Sequence, residues 1–573
     1  MRDRTPPASA GNRHKRTTSS MSSTSSTLSS RLLESSLNDP TRPLCPESAE
    51  MAYSTIVATA PLPRKASARL LGVSMFFGLA SLAWGYNIGI MATIYVHPGF
   101  IASLHKPSKA ITGLITSIYY VGTWLSYLFV SHPLADRYGR RVAAATGVFT
   151  TAVGAAVQCA AQGKNGVAQM VVGRIICGFG LAIVSTSVPL YQSEISPAKH
   201  RGRYVVINHV GLVAGLAVAF WVGYGVSHWE TDRGNYYGWR MSMALQFVPE
   251  AIFLLGVFLC PETPRWLVEH NQHNAAQKSL AWLRSSSPND ELVLTELKEI
   301  EEDVAQRRTT TQQDWTVLFT NRPLFNRLWR ASLLQFMAQM CGNTSMKYYL
   351  PSIFMSLGIE RKLTLMIGGI ESTLKIGCTV IDTWLVDRYG RRVTLVASCF
   401  IMSLALLLNG SLPIAYPNNT NHVADYVCII FIFIYTFGYS VGFGPAAWLY
   451  GAEIFPTNFR ARGLNIAASA SSIGSVISSQ TWPIGMNNIG SKTHFIFMST
   501  NFVSAFVIWF LYPETTSRTL EDMEALFNKD YHPRESSYNH RGRYSDRSES
   551  EAGGNGARAS SPGALAKTLP NRS

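Results

Sequence analysis

Charge is scarce in this chain. Asp, Glu, Lys and Arg make up 15% of its 573 residues, where a soluble protein carries about a quarter. The deficit excludes an ordinary soluble domain over most of the length. The eight cysteines, at 45, 159, 177, 260, 341, 378, 399 and 428, contain no C-x-x-C pair, and all but Cys45 read as small core hydrophobes. A Walker A loop, an H-E-x-x-H helix and a metal-spaced Cys/His cluster are all missing. The chain therefore has no part that would drive it with ATP. An enzyme is not expected, and neither is a cofactor or a metal. No cleavable signal peptide is expected in the hydrophilic first 65 residues, so the first apolar run is expected to act as an uncleaved signal-anchor.

Long apolar runs fill the space that charge leaves. Twelve are expected to be helices, over about 68–94, 110–132, 143–161, 166–190, 204–226, 241–260, 328–355, 363–386, 393–414, 424–450, 464–485 and 493–512. Each is near the ~20 residues that cross a bilayer. The loops between them are too short to hold amphipathic helices that would cover a soluble core. The fold class is an all-α membrane protein with twelve transmembrane helices, and the lipid bilayer is its first partner.

A net charge of +15 would suggest nucleic acid in a soluble protein. Here it follows the positive-inside rule. The loops after spans 2, 4, 8 and 10 hold Arg137, Arg140 and Arg141; Lys199, Arg201 and Arg203; Arg388, Arg391 and Arg392; and Arg460 and Arg462. The alternate loops hold fewer basic residues. Both termini and the 261–327 loop are expected on the cytoplasmic side, with no nucleic-acid partner.

The chain repeats itself. Asp136-Arg-Tyr-Gly-Arg-Arg141 returns as Asp387-Arg-Tyr-Gly-Arg-Arg392, Glu194-Ile-Ser-Pro197 as Glu453-Ile-Phe-Pro456, and Pro261-Glu262-Thr263 as Pro513-Glu514-Thr515. The offsets are 251, 259 and 252. Three motifs in one order at nearly one offset divide the chain into two six-helix halves, 66–260 and 328–512. An even count per half makes the repeat parallel. The linker 261–327 carries a helix-favouring charged stretch from Asn274 to Arg308, and the polar tails 1–65 and 513–573 are expected to be mostly disordered.

Together with Pro261-Glu-Thr-Pro-Arg-Trp266, Gly173-Arg174 and Gly444-Pro445-x-x-Trp448, these motifs resemble the sugar porter family of the major facilitator superfamily, in a fungal-type member. The resemblance covers about residues 68–520. It implies two pseudo-symmetric bundles around a central cavity, a small-molecule cargo of sugar, polyol or sugar-acid type, and alternating access as facilitator or proton symporter. It also implies a plasma-membrane location and a monomer. A non-transporting nutrient sensor of the same fold is the alternative, although the short C-terminal tail shows no repeated recruiting motif.

The charged motifs lie at the helix ends where two halves must meet and part. Asp136, Glu194, Asp387 and Glu453 are expected to pair with Arg141, Arg201, Arg392 and Arg460 as an inner latch, each pair contributing about 1–3 kcal/mol. Arg137, Arg140, Arg388, Arg391 and Glu262 belong to the same clusters. Arg174 lies inside span 4, where a charge needs a cavity or a partner. In the family its partner in proton-coupled members is an acid of span 1, but here the position is Asn87, which carries no proton. That favours facilitated diffusion, while Glu250, Glu371 and Asp382 remain as buried acids.

Span 7 resembles the family's substrate helix. Gln339 is retained, Thr344 replaces an Asn, and Tyr348 and Tyr349 match the gating aromatics; Trp448 matches the aromatic that stacks on substrate. His209, Lys375 and Ser471 replace the family's amides in spans 5, 8 and 11. Glu371, Lys375 and Asp382 fall within about 40° on one face of a helix. Two readings follow: an internal Glu371–Lys375 ion pair, or a cationic cavity suited to a sugar acid. Asn409 and Asn418 begin glycosylation sequons expected on the outer side.

Overall fold

A backbone in hydrocarbon must satisfy its own N–H and C=O groups, which restricts an apolar chain to helices or a closed barrel. The computed structural model describes residues 63–515 and Phe527, apart from 198–200, 311–315, 418–419 and 457–458. The expected tails fall almost wholly outside these residues, as do Asn418 and the side chains of Arg201 and Asp387.

The described residues form twelve successive helical spans. Spans 1 to 6 are Arg64–Ile94; Lys109–Phe129 with Ser131–Tyr138; Arg140–Cys159; Gly166–Ile195; Arg201–Val226; and Asp232–Ala244 with Phe247–Gly256. Spans 7 to 12 are Arg322–Met340 with Asn343–Ser356; Arg361–Tyr389; Arg391–Ala415; His422–Gly438 continuing through a π turn into Gly444–Ile454; Arg460–Asn488; and Thr493–Leu511. Among the described residues nine are each long and apolar enough to cross a membrane, and span 2 makes a tenth as a pair bent by 49°.

Spans 7 and 11 are the two of lower apolarity, and the reason is positional. Span 11 buries Ser469, Ser472, Ser475, Ser478 and Ser479. Its hydroxyls bond across to spans 2 and 7, as in Thr123–Ser472 at 3.0 Å and Ser345–Ser478 at 2.9 Å. Span 7 breaks at Gly342, where φ is +100°. Carbonyls freed by the break are taken up by neighbours: Cys341 O accepts from Tyr435 at 3.1 Å and Asn501 at 2.9 Å, and Met340 O from Thr500 at 2.8 Å. A break inside a membrane survives only with such partners.

Within the first half, Gly211 and Gly215 of span 5 bring it against span 1; a methyl group on Gly215 would overlap the Leu82 carbonyl. The linker folds as helices Pro264–Glu269, His273–Arg284, Glu291–Thr310 and Val317–Thr320, the first three sharing a small core that includes Leu267, Leu280, Val293 and Val304. Asn409 sits inside span 9, 3% exposed, its amide donating to Ala405 O at 2.9 Å. It is thus packed within a helix and not displayed on an outer loop as the sequon suggested.

Candidate functional site

At the end of the molecule that carries the repeated Arg motifs, the two halves build the same network from equivalent residues. In the first, Arg140 reaches Glu194 at 3.0 Å, with Asp136 and Glu269 each at 3.6 Å. Thr263 donates to Glu194 at 2.7 Å. Glu262 accepts the backbone amides of Arg140 at 3.1 Å and Arg141 at 3.0 Å, so a carboxylate closes the free N-terminus of span 3. Burial pushes the Glu262 carboxyl above the usual range, with the Thr263 and Arg141 amides pulling the other way.

The second half repeats the Glu194 and Glu262 contacts with its own residues. Arg391 meets Glu453 at 2.8 Å, Thr515 donates to Glu453 at 2.6 Å, and Glu514 accepts the amides of Arg391 and Arg392, both at 2.9 Å. Gly139 and Gly390 precede the capped helices at φ +97° and +90°. A Cβ on Gly139 would lie 2.5 Å from Glu262 Oε2, and one on Gly390 2.8 Å from Glu514 Oε2.

Two expectations need correction here. The arginines that pair with the acids are Arg140 and Arg391, not Arg141 and Arg392. The second arginine of each motif points its guanidinium at carbonyls: Arg141 at Cys260 O, 2.8 Å away, and Arg392 at Trp509 O. The Glu194 and Glu453 pairs also join spans within one half and do not bridge the halves. Arg137 lies over the Tyr138 ring at 5.7 Å; Arg388 is exposed, and Arg460 opens span 11.

Deeper in, Arg174 is wholly buried. It donates to Asn87 Oδ1 and to the Tyr348 hydroxyl, both at 3.0 Å, and lies 4.3 Å from the Tyr119 ring centroid. Among the described residues the guanidinium is held by neutral oxygens and ring faces and by no carboxylate. Asn87 in turn donates to Gln246 at 2.9 Å. The chain Gln246–Asn87–Arg174–Tyr348 runs from span 6 through spans 1 and 4 to span 7, crossing from one half to the other.

Next to it, Tyr349 donates to Thr116 at 3.0 Å and to Ser479 O at 3.2 Å, and stacks on Tyr95 with centroids 6.0 Å apart. Tyr95 shares the same Thr116 hydroxyl at 2.7 Å. Farther toward the end opposite the Arg motifs, Lys362 meets Glu230 at 2.7 Å. This pair joins the two halves at that end.

On the side of the second half, Thr344 donates to Gln339 at 2.8 Å. Lys375 pairs with Glu371 at 2.7 Å, and Glu371 also accepts from Thr436 at 2.6 Å. The ion pair expected as one reading of span 8 is therefore formed. It is joined by Lys347 of span 7, whose ammonium lies 5.7 Å from the Tyr439 ring centroid and feels the charges of both Lys375 and Glu371. His209 of span 5 stands beside Gly444 and within the field of Lys347. Tyr439 opens the π turn of span 10, an irregularity common at functional sites. Trp448 follows it, 40% exposed.

Sequence reading missed Lys347, Gln246, Glu514 and Thr116. Lys347 was detectable as a charge inside a span and Glu514 as the repeat of Glu262. Gln246 and Thr116 carry no signal until neighbouring helices are placed beside them.

Twelve spans in two halves with duplicated end networks, meeting at a polar seam, define a membrane transporter of the major facilitator type. The chain belongs to the Sugar (and other) transporter family, which it matches over residues 73–527. It is 30% identical to the MFS-type transporter criB of Aspergillus cristatus over 460 residues, 80% of this chain and 93% of that one. It is 27% identical to the quinate permease of Emericella nidulans over 495 residues, covering 84% and 92% of the two chains. It is 28% identical to the high-affinity glucose transporter 1 of Candida albicans over 474 residues, covering 79% and 84%. Among solved structures it is similar to a partially occluded inward-open conformation of the xylose transporter XylE from E. coli. The TM-score is 0.66 at 22% identity, over 79% of this chain and 100% of that one. The likeness in fold spans both halves.

Proposed function

We propose that this transporter carries a small polyhydroxylated solute bearing a carboxylate, such as a sugar acid or a cyclic polyol acid. One observation carries the choice: Lys347 of span 7 lies within the electrostatic reach of the Lys375–Glu371 pair of span 8, two ammonium groups with the one carboxylate that Lys375 already pairs. One positive charge in excess, held inside a low-dielectric bundle beside His209, is a site for an anion. Gln339 and Thr344 supply hydroxyl and amide partners for the polyol, and Trp448 a face for its ring. The relatives include a quinate permease, whose named cargo is an acid, and a glucose transporter, whose cargo is not.

Transport proceeds by alternating access. The tyrosines at 348 and 349, with Asn87 and Arg174, form the gate. The Arg140 and Arg391 networks hold each half rigid as it rocks. The halves correspond to 66–260 and 328–512, with 261–327 as the linker. The chain acts as a monomer in the plasma membrane with both termini cytoplasmic, and has no catalytic activity.

Uptake by a transporter-null cell over hexoses, disaccharides, polyols and sugar acids tests the assignment. Galacturonate or quinate is expected to enter faster than glucose, and the preference is expected to collapse in Lys375→Gln and Lys347→Gln. Uptake confined to hexoses overturns it.

A further inference from the structure

A buried acid of span 6 stands apart from these networks. Glu250 lies on the second helix of span 6, Phe247–Gly256, where it and Phe253 are the buried residues. It is 1% exposed, and neither carboxyl oxygen has a hydrogen-bond partner among the described residues. Phe253, on the same inward face, stacks on Phe76 at 5.3 Å and meets Phe77 edge-on at 5.5 Å. The titratable groups that lie within the field of Glu250 are thiols, Cys159 of span 3 and Cys177 of span 4. Cys159 in turn lies in the field of Arg240 of the preceding helix and itself acts on Tyr86 of span 1. An ionised carboxylate is very costly in such a place, whereas the neutral acid is far less so.

The position is also not arbitrary. Glu250 stands one helical turn after Gln246, its amide donating to Gln246 O at 3.4 Å. Residues four apart share a helix face, and Gln246 is the first member of the chain through Asn87 and Arg174 to Tyr348. Each side chain of that chain is neutral or permanently cationic and none stores a proton. Glu250 is the adjoining group that can.

We infer that Glu250 is a proton-binding site of this transporter, coupled to the closing of the Tyr348 gate through Gln246, Asn87 and Arg174. The carboxyl takes a proton from water on one side of the membrane and releases it on the other, so the site returns to its starting state in each cycle. A charge appearing on Glu250 reorients Gln246, which loosens the Asn87 contact with Arg174 and with it the bond to Tyr348. The inference rests on the transport reading for its biological use, but the proton site itself does not depend on the cargo.

The test has two arms. In purified protein in lipid vesicles, with no cargo, infrared spectroscopy is expected to show the carbonyl stretch of a protonated carboxylic acid that vanishes in Glu250→Gln and shifts in Glu250→Asp. In cells, protonophore-sensitive accumulation is expected to fall at least tenfold in Glu250→Gln, uptake then stopping at equilibrium with the medium. A band unchanged in Glu250→Gln overturns the inference. So does wild-type accumulation indifferent to a protonophore, or a Glu250→Gln protein that still accumulates cargo. Should Glu250→Gln fail to fold, Glu250→Asp carries both readouts. If no cargo in the panel is transported, the infrared arm alone decides, and only the cargo assignment falls.

Discussion

Arg174 of span 4 donates to the hydroxyl of Tyr348 in span 7 at 3.0 Å, and this bond joins the two halves through a wholly buried charge. Tyr348→Phe removes the acceptor and leaves the ring. Losing a hydrogen bond to a charged group costs about 1.5–3 kcal/mol, which moves a two-state balance about tenfold or more. The gate is therefore expected to open more often. A cysteine placed at the buried Ser479 should react faster with a membrane-impermeant maleimide in the Tyr348→Phe background, and equal rates would show that the bond does not hold the gate.

Gly139 and Gly390 occupy a region of backbone space, φ +97° and +90° with ψ 158°, that side chains avoid, at about 1–3 kcal/mol per residue. Alanine at either position adds a clash with the capping carboxylate. Both variants are expected to lower the thermal midpoint of the purified protein by several degrees, and an unchanged midpoint would contradict the geometry described for these turns.

Glu262→Gln and Glu514→Gln each weaken one helix cap, with an expected loss of about 0.5–2 kcal/mol. The two caps have no partner in common, so their effects should add. Denaturation of the single and double variants measures this; strong non-additivity would mean that the halves share strain through the seam.

His97 gives a pH dependence. Its Nδ1 accepts from the Gly99 amide at 3.1 Å, which needs the neutral ring, and burial depresses the imidazole to about 4. Because the unfolded chain binds the proton first, stability is full above about 6.5 and declines as pH falls toward 4, by roughly 3 kcal/mol in all. His97→Asn keeps a cap without the titration. The variant's thermal midpoint is expected to drop less than the wild type's between pH 7 and pH 4.5; parallel curves would remove His97 as the cause.

The spans and the two-fold repeat were legible because each is written along the chain: hydropathy in runs, and six-residue motifs at nearly one offset. The pairing of acids with arginines was legible in kind and not in detail. Arg140 and Arg141 are adjacent and chemically alike, and which one turns inward depends on where span 3 begins relative to Gly139. Span 7 stood out in the sequence through Gln339, Tyr348 and Tyr349, and the two tyrosines lie at the contact between the halves. Yet Tyr348 finds Arg174 only because spans 4 and 7 cross there, a relation that no spacing encodes. Gln246 was invisible for the same reason: a lone amide inside an apolar run gains meaning only from Asn87 of span 1.

The duplicated end networks differ in when their parts become available during synthesis. Everything the first one needs, from Asp136 to Glu269, has left the ribosome before span 7 begins. The second waits for Glu514 and Thr515, beyond the last span. The first bundle can therefore lock early and stand as a template, while the second stays unlatched until the final helix is in the bilayer. A truncation just before residue 514 leaves that later bundle without its clasp.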